Sequence, residues 1–293
     1  MPEQPVAAPV SLGTVEFTQL RPRVYLAVAQ PAAVNIGLVT GDDGCLLIDA
    51  GPGPSQGAEL RAAAEALAGT PLRAVVVTHG HWDHAFGLSA FADVETIGHE
   101  DSVSALRGPE ALAAAAAAGL DLATLPAPAT RLASIGLRDL GGVVVELAHF
   151  GRAHTRGDLI AAVPGAEVVF AGDVAETAGP PQFDSESSLE GWAKALDALA
   201  GLLRPGSLVV PGHGPVADSD EVGRQRVALA VCWGQAEWAF WQGLTEDEAY
   251  GHSTLEWPWD EATTRRGIAS AYAGLRGRGV KPKRHLPVLG PPL

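Results

Sequence analysis

In the run Thr78-His79-Gly80-His81-Trp82-Asp83-His84, three imidazoles and one carboxylate fall within six positions, immediately after the apolar stretch Ala74-Val75-Val76-Val77. Imidazole nitrogen and carboxylate oxygen are the groups by which proteins hold zinc, iron or manganese. Burying four of them together without a cation would leave desolvated polar atoms unpaired. A solvated His-rich turn would need no companions, and this run has them. His154 follows Val143-Val144-Val145-Glu146-Leu147, Asp173 ends Val168-Val169-Phe170-Ala171-Gly172, and His213 ends Leu208-Val209-Val210-Pro211-Gly212. An earlier copy of the same grammar is Cys45-Leu46-Leu47-Ile48-Asp49.

Short apolar runs bounded by Gly and Pro read as buried strands, and the loops that leave strand ends are where a scaffold presents its chemistry. Several such loops, each offering a ligand-type side chain, imply one shared site. In an extended segment, residues two apart point the same way, so His79 and His81 converge while Asp83 and His84 turn away with the chain. By the same geometry Trp82 is expected to point away from the ligand side and to pack beneath the loop. Asp173 suits a bridging position because a carboxylate has two oxygens, whereas one imidazole nitrogen serves one ion. Asp158, four residues after His154, is expected to orient a ligand or cap a turn.

The pattern predicts β-type segments over residues 15–20, 24–29 and 35–40 and a helix over 58–68. A capping-box signature at Ser187 and Glu190 introduces a helix that carries Trp192, Leu196, Leu199 and Leu203 toward the core. A second capping box, at Thr245 and Glu248, starts another.

The ordered set Asp49, His79-x-His81-x-Asp83-His84, His154, Asp173 and His213 resembles the metallo-β-lactamase superfamily, over roughly residues 15–215. The resemblance implies a mixed α/β (α+β) fold, a four-layer αβ/βα sandwich with the metals at one edge of its two sheets. It further implies two divalent metal ions, zinc first, with iron or manganese also compatible. His79, His81 and His154 would hold one ion, Asp83, His84 and His213 the other, and Asp173 would bridge them. Asp49 would brace the ligand loop by hydrogen bonds without touching metal. The domain reading is a catalytic unit over residues 1–217 and a helical extension over 218–293 packed on it.

The function this implies is hydrolysis of a small carbonyl substrate, an ester, thioester, lactone or amide, by a metal-bound hydroxide, with Asp83 or Asp173 taking the proton. An iron persulfide dioxygenase using His79, His154 and Asp173 is the redox alternative, and a β-lactamase is another. The subclass of antibiotic hydrolases with a cysteine at its second metal has no counterpart, since Asp173 occupies the place between His154 and His213.

Composition bounds the partners. The chain has 293 residues, 47% hydrophobic, with 34 acids against 20 bases and a net charge of −14. That balance excludes a nucleic-acid surface, which concentrates Lys and Arg on one face. The small basic end at Arg276, Arg278, Lys281, Lys283 and Arg284 reads as solvated surface. Residues 1–9 have neither a basic flank nor a long apolar core, and no run approaches the roughly 20 apolar residues of a membrane span, so a cytoplasmic enzyme is expected. Cys45 and Cys232 read as reduced core thiols. His99, His149, His252 and His285 read as structural or solvated.

Beyond His213 the chain changes character. Residues 222–244 read as one long helix, with Val227, Val231, Trp238 and Trp241 near one face, broadened by Trp233 and Phe240. Trp257 and Trp259 flank Pro258. Core packing, a pocket wall and a homodimer surface are all compatible with so much indole. The sharper expectation is that Trp238, Trp241, Trp257 or Trp259 walls the substrate pocket.

Overall fold

The computed structural model describes residues 15–252 and 256–282. The opening residues 1–9 and Lys283, Arg284 and His285, singled out above, lie outside them.

Seven strands form the first sheet in chain order: β1 (Thr18–Arg21), β2 (Val24–Ala29), β3 (Val34–Thr40), β4 (Cys45–Ile48), β5 (Leu72–Val76), β6 (Glu95–His99) and β7 (Thr130–Leu132). β1 to β4 pair antiparallel through short connections, and β4 to β7 pair parallel through helical crossovers. The second sheet holds β8 (Ile135–Asp139), β9 (Val144–Ala148), β10 (Ile160–Val163), β11 (Val168–Gly172) and β12 (Leu208–Pro211), in spatial order β12-β11-β10-β9-β8. Only β11 and β12 run parallel within it.

Helices cover both outer faces. α1 (Pro54–Ala68), α2 (Trp82–Ala85), α3 (Ser102–Ala105) and α4 (Pro109–Ala117) belong to the first half. α5 (Leu189–Leu202), α6 (Ser219–Trp241), α7 (Glu246–Gly251) and α8 (Glu261–Gly277) belong to the second. Strand periodicity explains the layering. In β4, Cys45 and Leu47 face the helices while Leu46 and Ile48 face the other sheet; in β11, Val169 and Ala171 face the helices while Val168 and Phe170 face inward. Such strands are buried on both sides, hence their continuous apolar runs. Three buried clusters result, one between the sheets and one under each helical layer, the four-layer αβ/βα arrangement expected.

The helices past residue 217 share the core of the second half: Leu229 and Cys232 of α6 and Ile268 and Tyr272 of α8 pack in one cluster with Trp192 of α5. Their buried face is not the one the tryptophan pattern suggested. α6 buries Val222, Leu229, Cys232, Ala236, Ala239 and Phe240, whereas Val227 is 53% and Trp238 48% exposed. Cys232, Ala236 and Ala239 share that inner face with Val222, Leu229 and Phe240, and the Trp238 indole does not. The cap of α5 also shifts by one residue. Ser188, not Ser187, accepts the Gly191 N–H, and Ser187 Oγ donates to the backbone oxygen of His154 at 2.8 Å. Thr245 and Glu248 do form the capping box of α7. Among the described residues no helix is long and apolar enough to cross a membrane.

Candidate metal centre

The predicted ligands all leave the same edge of the two sheets. His79 to His84 follow β5, His154 lies in the loop between β9 and β10, Asp173 follows β11, and His213 follows β12. Three hydrogen bonds from Asn35 tie the two sheet edges together there. Asn35 of β3 donates its backbone N–H to Gly212 O at 2.8 Å, and its Nδ2 donates to Pro211 O and Gly214 O at 2.9 and 2.8 Å. Gly212 is required because a Cβ at that position would overlap Asp173 Oδ1.

After His81 the chain turns into α2, where the His84 and Ala85 N–H groups donate to His81 O. This turn, not an extended strand, separates Asp83 and His84 from the His79/His81 pair. It also corrects the placement of Trp82, which stands on the first helical turn, 37% exposed, and lines the cavity in front of the ligands.

The side chains gather in two groups whose ligand atoms lie within 4.8 Å of one another, His79, His81, His154 and Asp173 in the first and Asp83, His84 and His213 in the second. Asp173 joins them. Its Oδ2 lies 3.4 Å from His154 Nε2 and 3.8 Å from His79 Nε2. Its Oδ1 lies 3.2 Å from His84 Nε2 and 3.8 Å from His213 Nε2. Asp83 Oδ2 completes the second group, 3.1 Å from His213 Nε2, while His81 Nδ1 lies 3.0 Å from His154 Nε2 in the first.

The nitrogens facing away are engaged. His79 Nδ1 meets Thr78 Oγ1 at 3.1 Å, His84 Nδ1 meets Asp49 Oδ2 at 2.8 Å, His154 Nδ1 meets Gln182 O at 3.1 Å, and His81 Nε2 meets Asp184 Oδ2 at 2.9 Å. Asp49, held at a positive φ of 68°, stays out of the cluster and spends its oxygens on Thr78 N, Thr78 Oγ1 and His84. A non-glycine residue in that strained region is a common mark of a functional site. Asp158 caps a turn: both its oxygens accept from Thr155 N, and one from Thr155 Oγ1.

Three of the inward atoms are unsatisfied. His79 Nε2, His84 Nε2 and Asp173 Oδ1 are buried without a hydrogen-bond partner. Orphaned buried acceptors are costly, and a divalent cation is the group whose ligand demand this donor set meets. Burial also drives His79 well below its ordinary pKa and His154 down to about 4. Both are thereby kept neutral, the form that binds metal. Burial acts on His84 in the same sense, but Asp173, Asp49 and Asp83 around it outweigh burial and raise it.

The metallo-β-lactamase superfamily model matches residues 29–228, which takes in every position of the two groups. The chain belongs to the metallo-β-lactamase superfamily. Solved superfamily structures share the fold at 22% identity. A metallo-β-lactamase from Pontibacter korlensis superposes with a TM-score of 0.59 over 74% of this chain and 99% of that one. One from Erythrobacter litoralis, with β-mercaptoethanol in the active site, gives 0.59 over 75% and 98%. FIM-1 from Pseudomonas aeruginosa, in a mono-zinc form, gives 0.60 over 74% and 95%.

In front of the ligands lies a cavity of about 860 Å³. Its lining takes Ala32 and Ala33 from the turn after β2, Glu110, Ala113 and Ala114 from α4, and Glu176 and the 182–186 segment between β11 and α5. Trp238, Trp241, Trp257 and Trp259 are not among its described lining residues. Trp257 and Trp259 pack partly buried on the second helical layer, and Trp259 borders a separate cavity of about 440 Å³ beside Trp192. Sequence reading missed Asp184, which besides holding His81 accepts the Glu186 and Ser187 N–H groups through Oδ1. The only local trace was an Asp preceding the Ser-rich start of α5. His99 and His149 lie away from the ligands and stack on one another, ring centres 3.9 Å apart.

Proposed function

We propose that this chain is a binuclear metal-dependent hydrolase acting on the carbonyl of a small molecule. The observation that carries the reading is Asp173, with one oxygen turned toward each ligand group and one of those oxygens buried without a partner. His79, His81 and His154 would hold the first ion and Asp83, His84 and His213 the second. The ions would be zinc, a choice supported by the zinc form of the similar FIM-1, with iron or manganese admitted by the same donors. When bound, a divalent pair supplies Lewis acidity and lowers the pKa of water to about 7.

The chain's own residues do the rest. Asp49, Thr78, Gln182 and Asp184 fix the ring planes of the histidines, so the site is organised before substrate arrives. Asp83 and Asp173 both border the cavity, so a proton released as water adds to a carbonyl is accepted at a carboxylate oxygen beside the reacting carbon and passed to the leaving group. No side-chain nucleophile is required. Burial holds the Cys45 thiol up at about 11 and Cys232 at about 12.

Elemental analysis of the purified protein tests the reading. It requires close to two divalent ions per chain, fewer in Asp173→Ala with secondary structure retained, and turnover of a simple ester or thioester. One iron per chain with oxygen uptake in place of hydrolysis would replace it with the persulfide-dioxygenase alternative.

A further inference from the structure

The lining of the cavity in front of the ligands is acidic. Asp83, Glu110, Asp173, Glu176, Asp184 and Glu186 line it, and no lysine or arginine does among the described residues. Two divalent ions would carry four positive charges against these six carboxylates, leaving the chamber net negative. Two arginines stand behind the lining, not in it. Arg152 spends its guanidinium on the backbone oxygens of Ser185, Glu186 and Ser187, and Arg156, exposed and outside the lining, offsets part of the Glu186 charge.

The charge is concentrated at one place. Glu110, on the first turn of α4, brings its carboxylate within 4.8 Å of both Asp184 and His81, and Glu186 stands two residues from Asp184. Glu186 Oε2 is shielded from solvent and has no hydrogen-bond partner. Burial first, and the Asp184 charge second, raise both Glu110 and Glu186 above the ordinary carboxylate range. Carboxylates crowded this way favour a cation between them. The floor beside them is the reacting end: Asp173, 8% exposed, lines the same cavity with Oδ1 unpartnered. Trp82 and Phe183 are among the lining residues, and aromatic rings attract cations.

We propose that the substrate carries a positively charged nitrogen, received by Glu110 and Glu186 beside Asp184, with its carbonyl presented to the metal centre. This rests on the hydrolase reading above. The carboxylates of an anionic substrate, such as a β-lactam or a glutathione thioester, would meet repulsion at Glu110 and Glu186 and no lysine or arginine among the described lining residues.

The test uses the full chain loaded with metal and two acetate esters of matched shape, one bearing trimethylammonium and the other its uncharged tert-butyl isostere. The cationic ester is expected to have a kcat/KM at least about tenfold higher at low ionic strength, an advantage that salt reduces. The ratio is expected to fall toward one in the Glu110→Gln/Glu186→Gln double variant. Calorimetric titration with benzyltrimethylammonium and with benzenesulfonate gives a readout that needs no turnover: the ammonium binds, the sulfonate does not, and the double variant loses the ammonium. A ratio at or below one, or sulfonate binding as tightly as ammonium, overturns the proposal. If neither ester is cleaved while the ammonium binds in a Glu110- and Glu186-dependent way, the cation site stands and the hydrolase reading falls.

Discussion

Asp184 Oδ2 lies 2.9 Å from Nε2 of His81, a contact between residues 103 positions apart. It leaves His81 Nδ1 as the nitrogen turned toward His154 and fixes the ring that carries it. A carboxylate on the far side of a ligating imidazole orients it and raises its basicity. Asp184 thereby ties the candidate metal cluster to the segment that walls the adjoining cavity.

Asp184→Asn keeps the shape of the side chain and removes its charge. The expected outcome is a loss of metal affinity of about 10- to 100-fold, read by competition with a chromophoric chelator, with an unchanged circular dichroism spectrum. Affinity within twofold of the parent protein would show that the contact is incidental.

The same residue gives a pH signature in the metal-free protein. Burial raises the Asp184 carboxyl, but the His81 hydrogen bond and charge outweigh it and bring the group down from 3.8 to about 2. A depressed carboxyl contributes stability that is present above its unfolded value and lost as pH falls through its folded value. The parent protein should therefore exceed Asp184→Asn in stability by roughly 1 kcal/mol from pH 4 up to the titration of His81, whose own value burial lowers but Asp184 raises, after a discount for partial solvent exposure. That advantage should vanish near pH 2. Urea unfolding at stepped pH checks this, and an advantage that persists at pH 2 would contradict it.

Neither cysteine borders the cavity in front of the ligands. Both thiols are buried and held protonated at neutral pH, so Cys45→Ala and Cys232→Ala should each retain ester hydrolysis while losing about 1 kcal/mol of stability. His81→Ala should lower kcat by at least about 100-fold. A folded cysteine variant as inactive as the histidine variant would refute hydrolysis without a protein nucleophile.

Two tryptophans should separate cleanly. Trp82 lines the cavity and is 37% exposed, so Trp82→Ala should raise KM by about fivefold, through lost contact area, with metal content unchanged. Trp259 packs beside Phe183 and Trp192 in the helical layer. Trp259→Ala should cost about 2–3 kcal/mol of stability, seen as a lower Tm, with KM unchanged. A KM effect at Trp259 without loss of stability would return the C-terminal segment to the pocket wall.

The sequence by itself marked the candidate ligand run His79 to His84. Metal affinity follows from residue type, and in His79 to His84 the types lie within one turn of chain, so no long-range packing had to be known. The apolar runs before Asp49, Asp173 and His213 likewise announced strands buried on both faces, and with them the layered fold, because strand periodicity is a local property. Tertiary structure decided whatever depends on which surfaces meet. Trp82 borders the cavity because the chain coils after His81. α6 buries Leu229, Cys232, Ala236 and Phe240 and shows Val227 and Trp238 because the placement of α5 and α8 decides which face is covered, and periodicity alone does not encode that. Asp184 and Glu110 reach His81 only because the loop before α5 and the start of α4 close over the same sheet edge. Their roles come from contacts across tens of residues, and isolated carboxylates in surface loops leave no pattern in the chain to mark them.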